Sequence, residues 1–210
     1  MKALQAQINP HFLYNTLDSI IWMSEAGEND QVVLMTSALA KLLRQSISND
    51  REQITVAEEI DYVRSYLTIQ KMRYKDKLEY TIDVEERILD VRIIKFVLQP
   101  LVENAIYHGL KYKETKGNLD IRGYRRGNRV CLVVADDGAG MEESELEHIL
   151  EKKEKKTKSN GVGVYNVQKR LQLYYGPEYG ISYISRKGEG TVATVTIPLD
   201  GGKSNEETGR

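Results

Sequence analysis

Polar side chains interrupt an apolar segment near the middle of the chain. Asn104, His108 and Lys111 follow one another at steps of four and three residues, so on an α-helix they share one face. An amide oxygen, an imidazole and an ammonium on one face suit a hydrated Mg²⁺ among phosphate oxygens. Tyr107 lies in the same run, and Glu103 is placed to organise a water molecule or an attacking group. The run predicts a nucleotide-phosphate site, and a solvated helix face is the alternative.

A second segment ends an apolar strand in carboxylates and glycines. Its sequence is Asp136-Asp137-Gly138-Ala139-Gly140. A carboxylate at the end of a strand can accept a hydrogen bond from an adenine amino group. The glycines allow the backbone to approach a base and to turn sharply. Alone, the pattern is also that of an ordinary turn.

Two further glycine pairs complete the set. Gly161 and Gly163, with Val162 between them, open a predicted helix, and the unpaired N–H groups of a helix N-terminus hold phosphate. The segment is neither a Walker loop nor a Rossmann fingerprint, because the required lysine and third glycine are missing. Gly188-Glu189-Gly190-Thr191 is a tight turn before the last strand.

The first helix carries a candidate nucleophile. His11 follows Pro10, and the proline should kink the helix and expose the imidazole. A neutral imidazole nitrogen is a competent nucleophile near pH 7. Asn15, one turn later, can orient the ring or a hydrolytic water. The commoner role of a lone histidine on a helix is surface or core packing.

The elements that must position these groups form two blocks. Residues 1–54 are predicted to be a helical hairpin, with helices over 2–26 and 31–48 and a hinge near 49–54. A lone hairpin cannot bury both apolar stripes, so it needs the next domain or a second copy of itself, and a dimeric four-helix bundle is the economical solution. A capping box of Thr55 and Glu58 opens a helix that runs to about residue 75.

Residues 55–200 are predicted to form a second domain of mixed α and β structure. Period-two alternation and turn residues predict strands, and longer apolar periods predict helices. The predicted strands are 78–84, 118–125, 129–135, 180–186 and 191–198, and the predicted helices are 93–110 and 163–175. Residues 141–160 are polar and rich in lysine, and residues 201–210 are expected to be a disordered tail.

Composition excludes several classes of protein. The 210 residues include 30 basic and 31 acidic side chains. Because these charges nearly cancel, the protein has no overall positive potential that would attract nucleic acid, and we expect no nucleic-acid partner. The single cysteine, Cys131, cannot form an internal disulfide. No stretch approaches the ~18–20 apolar residues needed to cross a bilayer, and the chain is expected to be a fragment of a longer protein.

The order of the four nucleotide segments over residues 93–198 resembles the ATP-binding domain shared by gyrase, a heat-shock chaperone, histidine kinases and mismatch-repair ATPases. The resemblance implies an α/β sandwich with a mixed sheet, ATP as ligand and a mobile lid at about 141–160. It also implies roles for individual residues: Asn104 for Mg²⁺, Asp136 for the adenine amino group, Gly138 and Gly140 for the base pocket, Gly161 and Gly163 for the phosphates, and Thr191 for the adenine side through water. Asp137 departs from the family, which often has Asn there.

Residues 5–21 resemble the acceptor segment of one class of histidine kinases, which includes autolysin-regulator and carbohydrate-responsive sensors. This second resemblance implies an α+β protein that phosphorylates itself on His11 and passes the phosphoryl group to an Asp of a response regulator. It also implies a homodimer on the cytoplasmic side of the membrane, anchored through an upstream sensor. Most other histidine kinases have an acidic residue where this chain has Phe12, so the base is open, and Glu103 is one candidate.

Two alternative functions remain from the sequence. One is a dimerisation module that binds ATP and transfers nothing. The other is an ATPase or a serine kinase that uses the same pocket. The lysine run at 152–158 either neutralises the triphosphate or is simply a solvated loop.

Overall fold

The computed structural model describes residues 10–47, 51–111, 113, 115–149 and 162–202. The helices in these ranges are α1 (Pro10–Glu25), α2 (Asn29–Ile47), α3 (Val56–Tyr74), α4 (Leu98–Asn104), α5 (Glu143–His148) and α6 (Val162–Tyr175). The strands are β1 (Gln53–Thr55), β2 (Leu78–Val84), β3 (Arg92–Ile94), β4 (Gly117–Arg126), β5 (Arg129–Asp136), β6 (Gly180–Arg186) and β7 (Gly190–Pro198). A π-helical segment, Ala105–Leu110, continues α4.

The second block is built on a five-stranded mixed sheet of order β2-β4-β5-β7-β6. β2 runs parallel to β4, and the other neighbours are antiparallel. One face of the sheet is apolar because alternate residues of each strand point the same way, and Leu119, Ile121 and Leu132 on this face are fully buried. Helices α3, α4 and α6 cover it. The predicted α+β class with a mixed sheet is confirmed.

The helical hairpin α1–α2 packs against α3 of the same chain. The Phe12 and Tyr66 rings lie 5.1 Å apart, and Lys41 pairs with Asp61 at 3.0 Å. Met35 and Leu42 of α2 are fully buried. The next domain therefore buries one apolar stripe of the hairpin.

The junction between the two blocks is more ordered than the sequence indicates. The capping box is confirmed, since the Glu58 N–H donates to Thr55 Oγ1 at 3.1 Å and the Thr55 N–H donates to Glu58 Oε2 at 2.8 Å. Residues 53–55, however, pair with β3 as strand β1. The prediction of a hinge over 49–54 is therefore wrong for Gln53 and Ile54, and residues 48–50 lie outside the described ranges.

The predicted helix over 93–110 is also corrected. Residues 92–94 form β3, and α4 begins only at Leu98. Between them Phe96 has a φ of 58°, which no helix tolerates. Pro100 lies in the first turn of α4, where its missing N–H costs no hydrogen bond.

Three other predictions fall partly outside the described residues. The predicted kink at Pro10 falls at the edge of the described residues, since Pro10 is the first of them and begins α1. Within the predicted lid, residues 143–148 form α5, and residues 150–161, including the lysine run, are outside. The predicted disorder from residue 201 is wrong for Gly201, whose carbonyl accepts a hydrogen bond from Gln53 Nε2 at 2.7 Å. None of the helices within the described ranges combines the length and apolarity that crossing a bilayer requires.

Candidate nucleotide site and phosphate acceptor

Asp136 stands at the centre of the candidate nucleotide site. It ends β5, and the strand register places it in one row with Leu119, Thr191 and Ser185 on the helix-covered face of the sheet. The N–H of Gly138 donates to Asp136 Oδ1 at 2.9 Å, and the N–H of Thr191 also donates to this carboxylate. A carboxylate has about four acceptor positions, so Asp136 can still accept from a ligand amino group.

Burial raises the pKa of Asp136 to about 6, against the opposing effect of the Gly138 N–H. The negative charge of Asp137 acts in the same direction as burial. A carboxyl group with such a pKa is a functional-site signature when it lies in a cleft.

Close backbone contacts explain the glycines around Asp136. A Cβ on Gly138 would lie 2.2 Å from the Gly109 carbonyl, and one on Gly140 would lie 1.9 Å from the Arg186 oxygen. The Ala139 N–H donates to the Gly109 oxygen at 3.0 Å. The loop after β5 is thus held between the π-helical segment and β6.

Replacement of Gly140 by alanine should destabilise the domain severely, and Gly127 supplies a matched control. The two glycines have φ values of 63° and 62°, but a Cβ on Gly127 meets nothing within 4 Å. G127A should cost only the left-handed backbone penalty of about 1–2 kcal/mol. G140A adds the clash with Arg186 and should cost more than about 4 kcal/mol. Urea unfolding measures both, and equal losses would show that the loop is free to move away.

Two residues of this site escaped the sequence analysis. Ser185 Oγ donates to the Gly190 oxygen at 2.8 Å, accepts from the Met141 N–H at 2.9 Å and lies 2.9 Å from Thr191 Oγ1. It joins the loop after β5 to the turn before β7. Gly109 touches the Asp136 carboxylate so closely that a Cβ there would lie 2.4 Å from Oδ1. Only the strand pairing and the helix geometry reveal these two residues.

The helix that carries Asn104 changes geometry directly after that residue. The Lys111 N–H donates to the Ile106 oxygen at 2.9 Å, an i→i−5 bond typical of a π-helix, and such segments are frequent at functional sites. The prediction that Asn104, His108 and Lys111 share one face assumed an α-helix through residue 111. That assumption is wrong, because residues 105–110 are π-helical. Asn104 is half-buried, whereas His108 and Lys111 are exposed.

Two titratable groups near Asp136 and Asn104 have shifted pKa values. Partial burial, assisted by Lys111, lowers the pKa of His108. Burial would raise the pKa of Asp137, but hydrogen bonds from Asn118 and the ion pair with Lys113 at 2.7 Å bring it below its ordinary value. The Asp137 carboxylate is therefore already bound by Asn118 and Lys113.

Glu103 and Tyr107 lie on the side of their helix that faces α3. Gln99 Nε2 donates to Glu103 at 2.8 Å, and burial raises the pKa of Glu103. The Glu103 charge acts on Tyr66 of α3, and Tyr107 acts on Tyr66 and Tyr74. The Tyr107 hydroxyl is buried and has no hydrogen-bond partner within the described part of the chain. Tyr107 thus packs toward α3 rather than beside Lys111.

The glycine pair at the start of α6 is only partly described. Gly161 lies outside the described residues, and Val162 begins α6. Gly163 is exposed, and a Cβ on it would make an ordinary 3.5 Å contact with Pro100 of α4. The N-terminus of α6 therefore lies beside the helix that carries Asn104.

His11 lies at the start of α1 and is exposed. The amide nitrogen of Asn15 lies 3.1 Å from its Nδ1 and 3.3 Å from its Nε2, so Asn15 is in position to orient the ring, with the acceptor nitrogen set by the tautomer. The next residue, Phe12, is buried against Tyr66. The ring is accessible while its helix is fixed to α3.

The mixed sheet with helices on one face and the glycine-lined loop after β5 fit an ATPase domain of the gyrase and chaperone type. The chain belongs to the family described as "Histidine kinase-, DNA gyrase B-, and HSP90-like ATPase", which matches residues 89–201, while residues 1–78 match the family described as "Histidine kinase". The two matches together give the domain pair of a histidine kinase transmitter, and the chain is similar to sensor histidine kinases of the LytS, YesM and BtsS type.

Individual relatives agree with this assignment. The chain is 39% identical over 198 residues to the sensor histidine kinase YesM of Bacillus subtilis, covering 94% of this chain and 33% of YesM. It is 34% identical over 203 residues to the sensor protein LytS of Oceanobacillus iheyensis, covering 94% of this chain and 34% of LytS. The chain thus spans about a third of these relatives. Among solved structures, the catalytic domain of histidine kinase ThkA has the same fold, with a TM-score of 0.55 and 19% identity over 70% of this chain and 96% of that domain.

Proposed function

We propose that the chain binds ATP with Mg²⁺ and transfers the γ-phosphoryl group to His11. The observation that carries the proposal is that an exposed imidazole beside Asn15 and a half-buried Asp136 in a glycine-lined loop occur on two packed blocks of one chain. In the reaction, the lone pair of a His11 ring nitrogen forms a bond to the γ-phosphorus. The bond from that phosphorus to the β–γ bridging oxygen breaks, and ADP leaves.

The protein contributes position and charge to this reaction, since phosphoryl transfer needs little covalent help. Asp136 would accept the adenine amino group, and the N-terminus of α6 would hold phosphate. Gly138, Gly140 and Thr191 shape the base side. Glu103 is the candidate base, because its raised pKa favours proton uptake. The division into a 1–54 acceptor domain and a 55–200 ATP domain belongs to the same proposal.

Asn104 would be the protein ligand of Mg²⁺. The described residues bring no three His, Cys, Asp or Glu side chains together in a metal cluster. Mg²⁺ is commonly bound by one or two protein oxygens together with phosphates and water rather than by an all-protein cage. A half-buried amide oxygen beside a triphosphate fits that chemistry. When bound, the ion neutralises charge on the β- and γ-phosphates.

The exposed side of the hairpin supports a homodimer. Large apolar side chains there reach high exposure, with Tyr14 at 68%, Ile21 at 54% and Trp22 at 70% on α1. Val33 and Leu34 of α2 are exposed as well. Helix α3 buries only the opposite side of the hairpin. The hairpin of a second copy would bury these exposed apolar side chains, and the two hairpins would form a four-helix bundle.

The remaining proposals concern the whole protein and follow from the family. We propose that an Asp of a response regulator receives the phosphoryl group, and that the chain works at the cytoplasmic side of a membrane as part of a longer, anchored sensor.

Incubation with γ-labelled ATP and Mg²⁺ tests the proposal against its alternatives. We expect a label on the protein that is lost in acid and retained in base, as a phosphoramidate bond to histidine requires. An acid-stable label would instead indicate a serine kinase. ATP binding without any label would indicate a silent dimerisation module.

The affinity for ATP should fall in mild acid. With a pKa of about 6 in the free protein, Asp136 loses its acceptor charge as the pH drops below that value. Binding must then displace the proton, so the dissociation constant should rise about tenfold per pH unit below about 6 and stay flat above about 7. A non-hydrolysable ATP analogue measured by calorimetry gives the profile. D136N is the control, because in this variant only the triphosphate still titrates. The dissociation constant of D136N should therefore rise less steeply below pH 6 than that of the wild type. Equal pH dependence in the two proteins would contradict the contact between Asp136 and adenine.

A further inference from the structure

A buried carboxylate ties the nucleotide-binding helix to the helix that supports the acceptor. Glu59 lies on α3 and has no exposed surface. Its Oε1 accepts from the N–H groups of Val97 and Leu98, both at 2.8 Å, and its Oε2 accepts from the Phe96 N–H at 3.0 Å. N–H groups at the start of a helix have no carbonyl partner within the helix. The N-cap residue of α4 supplies no side-chain hydrogen bond to them, so Glu59 takes that role.

A buried charge is costly unless it is fully compensated. Here the three N–H groups and the positive charge of Arg170 provide the compensation, although burial still raises the pKa of Glu59. Arg170 reaches the same turn, since its Nη2 donates to the Lys95 oxygen at 2.8 Å. The start of α4 is thus held by side chains from both α3 and α6.

The same face of α3 reaches the acceptor helix. Glu59, Tyr62 and Tyr66 follow at steps of three and four residues, so they share one face. Tyr62 packs edge-on against Phe96 at 5.1 Å, and Tyr66 packs against Phe12, the neighbour of His11. One helix face therefore contacts both the first turn of the Asn104 helix and the residue beside the acceptor.

We infer that Glu59 is a positioning residue for phosphoryl transfer, fixing the first turn of α4 on α3 and thereby the Asn104 helix relative to the His11 helix. The inference rests on the proposed function. The proposed adenine-side residues Asp136, Gly138 and Thr191 lie on the sheet and its loops, which Glu59 does not touch. Loss of Glu59 should therefore disturb the alignment of donor and acceptor more than the affinity for ATP.

The Glu59→Gln variant tests this inference, with Glu58→Gln as the matched control. The amide introduced by E59Q can still accept at its oxygen but presents an NH₂ group to the Phe96 N–H. Glu58 is the neighbouring residue with the same substitution, and Gln also serves in a capping box. At saturating ATP, E59Q should label His11 about ten to a hundred times more slowly, since small misplacements have effects of this size. Its KM for ATP should stay within about threefold. E58Q should leave both values unchanged.

A labelling rate of folded E59Q equal to that of wild type, or a loss confined to KM, would overturn the inference. Should E59Q fail to fold at the assay temperature, Glu59→Asp retains the charge and shortens the side chain by one methylene. E59D should show an intermediate decrease in kcat at unchanged KM, and unchanged kcat would overturn the inference equally.

Amide hydrogen exchange separates this inference from the proposed function, because it needs no catalysis. In E59Q, or in E59D where E59Q does not fold, protection should fall in both α4 and α1, and in E58Q in neither. Loss confined to residues 96–98 would contradict positioning whatever the wild-type protein labels. If the wild-type protein acquires no label but the Glu59 variant loses protection in both α4 and α1, only the phosphorylation of His11 is contradicted.

Discussion

The His11→Gln variant should bind ATP as the wild-type protein does and acquire no phosphoryl label. Removal of a nucleophile typically costs several orders of magnitude in rate, so labelling should fall by about a thousandfold or more. Binding should survive because the nucleotide contacts lie on the sheet and on α4. His11 is exposed, so the substitution should not disturb packing.

A neighbouring substitution provides the control for His11. Tyr14 is 68% exposed on the same helix, and Y14F retains its ring for any dimer contact. Y14F should label at the wild-type rate. Labelled ATP and a filter assay give both rates, and persistent acid-labile label on H11Q would place the acceptor elsewhere.

The second large effect concerns the proposed Mg²⁺ ligand. Asn104→Asp adds a negative charge beside the triphosphate and next to Glu103, so it should disfavour the nucleotide complex while leaving the hairpin untouched. Labelling should fall by about a hundredfold or more, as for other losses of electrostatic stabilisation. Light scattering should show that the oligomeric state is unchanged.

Asn128→Asp is the matched control for Asn104. It makes the same chemical change at an exposed position in the turn between β4 and β5, remote from Asp136 in the strand register. N128D should retain full labelling. Wild-type labelling by N104D would refute the assignment of Asn104 to the metal.

Local patterns were predictable wherever local chemistry decides the structure. Thr55 and Glu58 satisfy each other's backbone within one turn, so the start of α3 could be read directly. The turn of the hairpin at 126–129 and the alternation of β4 were equally visible, because one face of β4 is buried and the other is largely exposed.

Features that depend on partners distant in sequence were missed. The boundary between β3 and α4 is set by Glu59, which lies 37 residues before Phe96. β1 exists only because β3 pairs with it. The apolar period across 93–110 fits a single helix, and nothing in it marks the left-handed backbone of Phe96 or the π-helical turn.

The candidate site shows the same division. Asp136 and the glycines around it could be proposed as site residues from residue type and order. The orientation of Tyr107 toward α3, and the roles of Ser185 and Gly109, depend on helix phase and strand register. Those two quantities are fixed by tertiary packing rather than by the local sequence.

The location of the phosphoryl group tests the central claim most directly. Wild-type protein incubated with ATP and Mg²⁺ would be digested at neutral pH and sequenced by mass spectrometry with electron-transfer fragmentation. We expect one phosphoryl group on the imidazole of His11. A phosphoryl group on a serine, a threonine or another histidine, or an unmodified His11 in protein that has bound ATP, would contradict it.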